Sequence, residues 1–314
     1  MNLLFIAIGL LLLIFGGDWL LKAAVGFSLR LQIPKIIIGM TVVSFATSAP
    51  ELIVSLKSAL QGHSDLALGN VIGSNIANLG LVLGITLLLS TIKIQRSFYV
   101  TDWPMMMLSS FFLFGFLLDD NKLEAYEGLI LFGLLLGFLI YLLKFQKVAV
   151  IDEMPEDDEE LELWKAVTYM SIGGIALWGG SELLIHGAVG MAEKFNIGQR
   201  IIGITIVSVG TSIPELSASI IAVLKKEKAI SLGNLIGSNV FNILAVLGLT
   251  SMVTPITVID MGLIHNDIYW MLAIALSILP LSFLTFRRSG MQLGKMQGVL
   301  LLGTYIVFIY RMVQ

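Results

Sequence analysis

Two glutamates at equivalent places in a repeated stretch are the residues best suited to chemistry. Glu51 closes the run Gly39-Met40-Thr41-Val42-Val43-Ser44-Phe45-Ala46-Thr47-Ser48-Ala49-Pro50-Glu51, and Glu215 closes Gly203-Ile204-Thr205-Ile206-Val207-Ser208-Val209-Gly210-Thr211-Ser212-Ile213-Pro214-Glu215. Each follows a proline within an apolar span. A mid-helix proline removes one backbone donor and displaces the carbonyl one turn earlier, here that of Ala46 or Gly210. The helix is expected to break there, exposing carbonyls that membrane depth tolerates only where they are buried in protein or line a wet cavity. An unpaired carboxylate at that depth costs about several kcal/mol. Apart from Lys22 and Lys57, lysines and arginines sit at the ends of apolar spans. The two acids are therefore expected to be protonated or to meet a cation that is not part of the chain.

A second matched pair of stretches supplies more oxygen. Gly69-Asn70-Val71-Ile72-Gly73-Ser74-Asn75-Ile76-Ala77-Asn78 recurs as Gly233-Asn234-Leu235-Ile236-Gly237-Ser238-Asn239-Val240-Phe241-Asn242. Thr47 stands four residues before Glu51, as does Thr211 before Glu215, Ser74 before Asn78 and Ser238 before Asn242. Residues four apart share a helix face, so four oxygen-bearing faces can converge. All are hard donors, which favours Na+, Ca2+ or Mg2+ over zinc or copper. Two carboxylates neutralise one divalent cation, and their oxygens with the carbonyls and hydroxyls approach the six to eight that Ca2+ prefers. The remaining polar residues have plainer readings. Asn70, Asn75, Asn234 and Asn239 can bridge helices, Gly69, Gly73, Gly233 and Gly237 form small-residue packing stripes, and Asp18 is placed to pair with Lys22. Its repeat partner Glu182 has no lysine four residues on, and His63, His186 and His265 have no matching histidine in the other half.

The elements that must position these groups follow from composition. Of 314 residues 57% are hydrophobic and 13% charged, against about 25% charged in soluble domains. The chain is expected to be an all-α polytopic membrane protein, because without the alternation of a membrane barrel only helices can satisfy the backbone in hydrocarbon. Ten spans are predicted, at roughly 3–30, 36–60, 66–91, 98–118, 125–146, 165–194, 200–224, 230–253, 267–286 and 295–313. The first lacks a basic n-region and is expected to remain in the mature protein. The constant offset of 164 between the matched motifs marks a duplication: a first five-helix repeat at 1–147, an acidic connector at 148–164, and a second five-helix repeat at 165–314. Five spans per half make the repeats inverted, the arrangement of secondary transporters with a midplane site. Basic residues gather on one side, with Arg30, Lys35, Lys93, Arg96 and Lys225 among them. That side is expected to be cytoplasmic, which leaves both termini outside. The absence of cysteine excludes disulfides and thiolate metal sites.

At these residues the chain resembles the Ca2+/cation antiporter superfamily, and within it the prokaryotic sodium/calcium exchangers, whose repeats read G-T-S-x-P-E and then G-N-x-x-G-S-N-x-x-(N or D). The second half matches throughout; the first carries Ala46 where glycine is usual. The resemblance implies ion ligands at Thr47, Glu51, Ser74, Asn78, Thr211, Glu215, Ser238 and Asn242, with backbone oxygens near Ser44 and Ser208. It implies that the first and sixth spans slide across the other eight, and that Ca2+ export is driven by Na+ influx across the plasma or inner membrane. Potassium-dependent members carry aspartate where this chain has Asn242, which weakens the reading of K+ co-transport. Ca2+/H+ exchange at the same glutamates is the nearest rival. A cation channel would also use intramembrane acids, but inverted repeats supply two alternative closures rather than a symmetric pore. The expected partners are the bilayer and inorganic cations, with no cofactor, nucleic acid or required protein partner. No nucleophile and base pair or cofactor motif points to an enzyme.

Overall fold

The computed structural model of this chain describes residues 2–145, 161–194, 210, 212–284 and 291–313. Helices run over Asn2–Leu31, Lys35–Thr47 with Ala49–Leu60, Ser64–Leu89, Phe98–Asp120 and Ala125–Phe145 in the first half. In the second they run over Leu163–Lys194, Ile213–Leu224, Lys228–Val253, Leu263–Phe283 and Lys295–Val313. Apart from the start of the seventh, which falls outside the described residues, their ends lie within a few residues of those expected from the apolar runs. Among the described residues, six of these helices are long and apolar enough to cross a membrane, or seven when the bent pair is one span. The first part of the expected seventh span, at 200–209 and 211, and the acidic run from Asp152 to Glu160 lie outside the described residues.

Two helices form the centre. Of the most apolar windows of Ser64–Leu89 and Lys228–Val253, 78% and 83% of residues are buried, against 28% for Asn2–Leu31. The long helices Asn2–Leu31 and Leu163–Lys194 pack against each other along glycines. A Cβ on Gly9 would come within 2.8 Å of the Gly180 carbonyl, and one on Gly173 within 2.9 Å of the Gly16 carbonyl. These contacts are reciprocal, since Gly9 and Gly173 are repeat partners, as are Gly16 and Gly180.

Short ribbons also cross between the halves. Strand β1 (Ile92–Lys93) pairs antiparallel with β4 (Gln292–Leu293), and β2 (Lys122–Leu123) pairs with β3 (Ile256–Thr257). Each ribbon takes one strand from each half, at the points where apolar helices give way to loop.

One helix end treats the two halves differently. The turn after Ala49–Leu60 places Gly62 at φ 81°, where a glycine is unstrained. The corresponding turn after Ile213–Leu224 places Lys226 at φ 69°. There the amide of Glu227 donates to the Ala222 carbonyl at 2.8 Å and that of Lys226 to Val223 at 3.0 Å, the hydrogen bonds of a left-handed helix cap. A side chain in this conformation costs roughly 1–2 kcal/mol.

Candidate functional site

The expected breaks are present. The second helix bends by 45° at Ser48, which has φ −87° and ψ 2°. Pro50 then occupies the first turn of the following half-helix, where its missing donor is harmless. Ser212 plays the same part before Pro214, with φ −92° and ψ 6°. Glu51 and Glu215 thus fall in the first turns of Ala49–Leu60 and Ile213–Leu224. The partial positive charge of a helix N-terminus, about half a unit, offsets part of each carboxylate's charge.

The opposing asparagines begin distortions of their own. Asn78 opens a stretch of π-helix at Asn78–Val82, and Asn242 one at Asn242–Leu247. Such wide turns recur at functional sites. The arrangement is crossed: the half-helix bearing Glu51 packs on the wide turn of Asn242, and that bearing Glu215 packs on the wide turn of Asn78.

The centre is buried and rich in oxygen. Glu51, Glu215, Thr47, Asn78, Asn242, Ser238 and Ser44 are each 0% exposed, and Ser74 is 1% exposed. The Glu215 carboxylate faces the hydroxyls of Thr47, Ser48 and Ser238, with the Ser48 hydroxyl donating to Oε1 at 3.4 Å. The carboxylates of Glu51 and Glu215 are near enough to repel each other. Both oxygens of Glu51, Oε2 of Glu215, Oδ1 of Asn242 and the amide of Asn78 have no hydrogen-bond partner. Among the described residues no cluster of three or more acidic, histidine or cysteine side chains forms, so the carboxylate charge here comes from these two residues.

A supporting shell fixes the donors. Thr47 Oγ1 lies 3.2 Å from Asn234 Oδ1 and 3.3 Å from Ser238 Oγ. Asn242 Nδ2 donates to Asn75 Oδ1 at 3.0 Å, which commits its amide nitrogen and leaves its oxygen for the centre. Asn70 donates to Ser55 at 3.0 Å and its repeat partner Asn234 to Ser219 at 3.3 Å. The bridging role expected of Asn70, Asn75 and Asn234 is therefore seen; Asn239 instead donates to the Leu235 carbonyl of its own helix, while its carbonyl accepts from Asn75. The Ser44 hydroxyl is occupied by the carbonyls of Gly39 and Asn234, at 2.8 and 2.9 Å.

Close approach of the backbones depends on glycine. A Cβ on Gly237 would stand 2.3 Å from Ser44 Oγ and 2.6 Å from the Met40 carbonyl. The expected result of Gly237→Ala is a loss of about 1–3 kcal/mol through overpacking, read as a lowered thermal midpoint in detergent. An unchanged midpoint would show that the helices can part there without cost.

Several details differ from expectation. The Gly210 carbonyl is not free, because Ser181 donates to it at 2.7 Å. Asp18 pairs with Lys22 at 2.9 Å as expected, but also with Lys225, whereas Glu182 is exposed. Ser208 and Thr211 lie outside the described residues. Spacing does not single out Ser48 or Ser212 as ligands, yet Ser48 donates to Glu215 and the buried hydroxyl of Ser212 has no partner. Their position within the repeated Thr-Ser-x-Pro-Glu was the available signal.

Comparison with known proteins places this geometry among transporters. The sequence profile of the sodium/calcium exchanger protein family matches residues 1–144 and 165–314. The chain is 35% identical to the inner membrane protein YrbG of Escherichia coli, over 96% of this chain and 94% of that protein. It is 30% identical to the sodium/calcium exchanger MaX1 of Methanosarcina acetivorans, over 98% and 97% of the two chains. It superposes on the sodium-calcium exchanger NCX_Mj, soaked with 2.5 mM Na+ and 0.1 mM Ca2+, with a TM-score of 0.81 and 26% identity, covering 98% of this chain and 97% of that one.

Proposed function

Because the chain belongs to the sodium/calcium exchanger protein family, we propose that this integral membrane protein exports Ca2+ in exchange for Na+ by alternating access. The observation that carries the reading is the set of three carboxylate oxygens, on Glu51 and Glu215, that are fully buried and engaged by no protein donor. Uncompensated charge at such depth is destabilising by about several kcal/mol, and a divalent cation cancels two carboxylates. The proposed ligands are Thr47, Glu51, Ser74, Asn78, Thr211, Glu215, Ser238 and Asn242, with backbone oxygens near Ser44 and Ser208. Ser48, which donates to Glu215, joins them, and its repeat partner Ser212, whose buried hydroxyl has no partner, is proposed as its counterpart.

Five helices per half give the two repeats opposite orientation. The reciprocal glycine contacts and the ribbons that exchange strands between halves fit two units related by a two-fold rotation, because such units make each contact twice. Ten spans then enclose a site shared by both repeats. Asn2–Leu31 and Leu163–Lys194, close-packed on each other, are the natural moving unit.

The decisive experiment is uptake of calcium-45 into proteoliposomes with Na+, K+ or H+ gradients imposed in turn. Uptake driven by the Na+ gradient alone is expected. Uptake driven only by a pH gradient would replace this reading with Ca2+/H+ exchange.

Orientation is separately testable. The excess of lysine and arginine on one side supports a cytoplasmic acidic connector with both termini outside. A cysteine at position 1 should react with an impermeant thiol reagent on intact cells, and one at position 156 should not. The opposite labelling would reverse the topology.

A further inference from the structure

Away from the glutamates, a cavity of about 540 Å3 opens where Lys35, Thr91, Lys93, Lys226, Lys228 and Gln292 meet. Its lining comes from both halves of the chain and carries four lysines against one acid, Glu227. Lys35 occupies that acid at 2.7 Å, and Lys228 reaches the Thr91 carbonyl at 2.9 Å. Lys93 and Lys226 are exposed and pair with no acid among the described residues. Four ammonium groups around one carboxylate repel each other, and the fold keeps one of them in a strained backbone. Lys226 holds the left-handed position that its repeat partner fills with Gly62. Residues kept in such conformations gather at functional sites.

The surroundings identify the anion's source. Leu89, just before Thr91, is 50% exposed, and Leu224, just before the lysines at 225 and 226, is 67% exposed. Two residues of the cavity's lining, Thr91 and Lys226, thus each follow by two positions an exposed leucine at the end of an apolar helix. A soluble anion gains nothing from the leucines, whereas a phospholipid uses both. Basic pockets between membrane helices take anionic headgroups, and lysine binds phosphate as a point charge without demanding one geometry.

We propose that this cavity binds the phosphate headgroup of an anionic phospholipid, with the acyl chains lying along the exposed leucines. The lipid braces the two halves where β1 and β4 meet. It is distinct from the cation site and independent of which ion drives exchange.

The test titrates the purified full-length protein in neutral detergent with dioleoyl phosphatidylglycerol, dioleoyl phosphatidylcholine and sodium phosphate, reading thermal midpoint and bound lipid by native mass spectrometry. Phosphatidylglycerol should raise the midpoint saturably, and the other two should not at equal concentration. A lysine beside an anionic headgroup contributes roughly fivefold in affinity, so Lys93→Gln combined with Lys226→Gly should bind about thirtyfold more weakly. Since glycine relieves the strain at position 226, the lipid-free midpoint of that variant should equal or exceed the wild type's. The control, Lys144→Gln with Lys165→Gln, alters basic residues outside the cavity and should bind normally. Equal binding of phosphatidylcholine, equal stabilisation by inorganic phosphate, or equal loss in the control would each overturn the proposal. Should the double variant not fold, Lys93→Gln alone should lose roughly fivefold, and unchanged affinity there would also overturn it.

Discussion

Glutamine at position 51 or at position 215 is expected to abolish Ca2+ transport while leaving the protein folded. Glutamine keeps the shape of each side chain and removes its charge. Ca2+ would then enter a buried centre with one carboxylate in place of two, leaving one positive charge uncompensated. Breaking a buried charge pairing costs about 3–5 kcal/mol, which is roughly two to four powers of ten in binding. Flux should therefore fall by at least about a hundredfold. Stability should move the other way, because the ion-free wild type buries two carboxylates whose free oxygens meet no donor, and the variant buries one fewer. A ligand that binds only the folded state stabilises it by mass action. Added Ca2+ should thus raise the thermal midpoint of the wild type and not of either variant. A variant with near-normal flux, or one still stabilised by Ca2+, would remove the glutamates from the centre of the mechanism.

The second large effect is that of voltage. With an amide rather than a carboxylate at Asn242, its nitrogen committed to Asn75, the proposed site holds two negative charges when ionised and empty. One Ca2+ or two Na+ cancel them. A third Na+ can lie only among neutral oxygens such as those of Thr47, Ser74, Thr211 and Ser238, and it leaves the loaded site one charge positive. Moving that charge across the membrane is worth about 2.3 kcal/mol per 100 mV, or about fiftyfold in an equilibrium ratio. Exchange should accordingly run without K+ and be driven by a potential that draws positive charge in the Na+ direction. Ca2+ flux in voltage-clamped proteoliposomes with and without K+ measures both. Strict dependence on K+ would mean that Asn242 does not exclude that ion, and indifference to voltage would eliminate the third Na+.

The residues that gather at the centre could be read from the chain because they recur at a fixed offset and because proline and glutamate at membrane depth have few other uses. The break at Ser48, the helix ends and the Asp18–Lys22 pair are local, so spacing alone predicts them. What spacing does not reveal is contact between distant segments. The Ser181 hydroxyl that takes the Gly210 carbonyl, the second partner of Asp18 at Lys225 and the two-residue ribbons have no local signature. The wide turns beginning at Asn78 and Asn242 are likewise silent, since a π-helical turn differs from an α-helical one by which carbonyl each amide chooses. The crossed seating of each glutamate helix on the other half's asparagine turn follows from packing and not from either motif.

The ribbon between Lys93 and Gln292 also sets a schedule for biogenesis. Its strands are separated by about 200 residues, and at roughly 5–20 residues per second a ribosome needs on the order of 10–40 s to make that length. During that interval the first half resides in the bilayer with an unpaired strand and, until Asn242–Leu247 is made, with Glu51 lacking the wide turn its helix packs against. A nascent chain stalled before Asn242 would present both features to membrane proteases, and one stalled between Asn242 and Gln292 only the unpaired strand, so synthesis of Gln292–Leu293 is the step that lets the ribbon close.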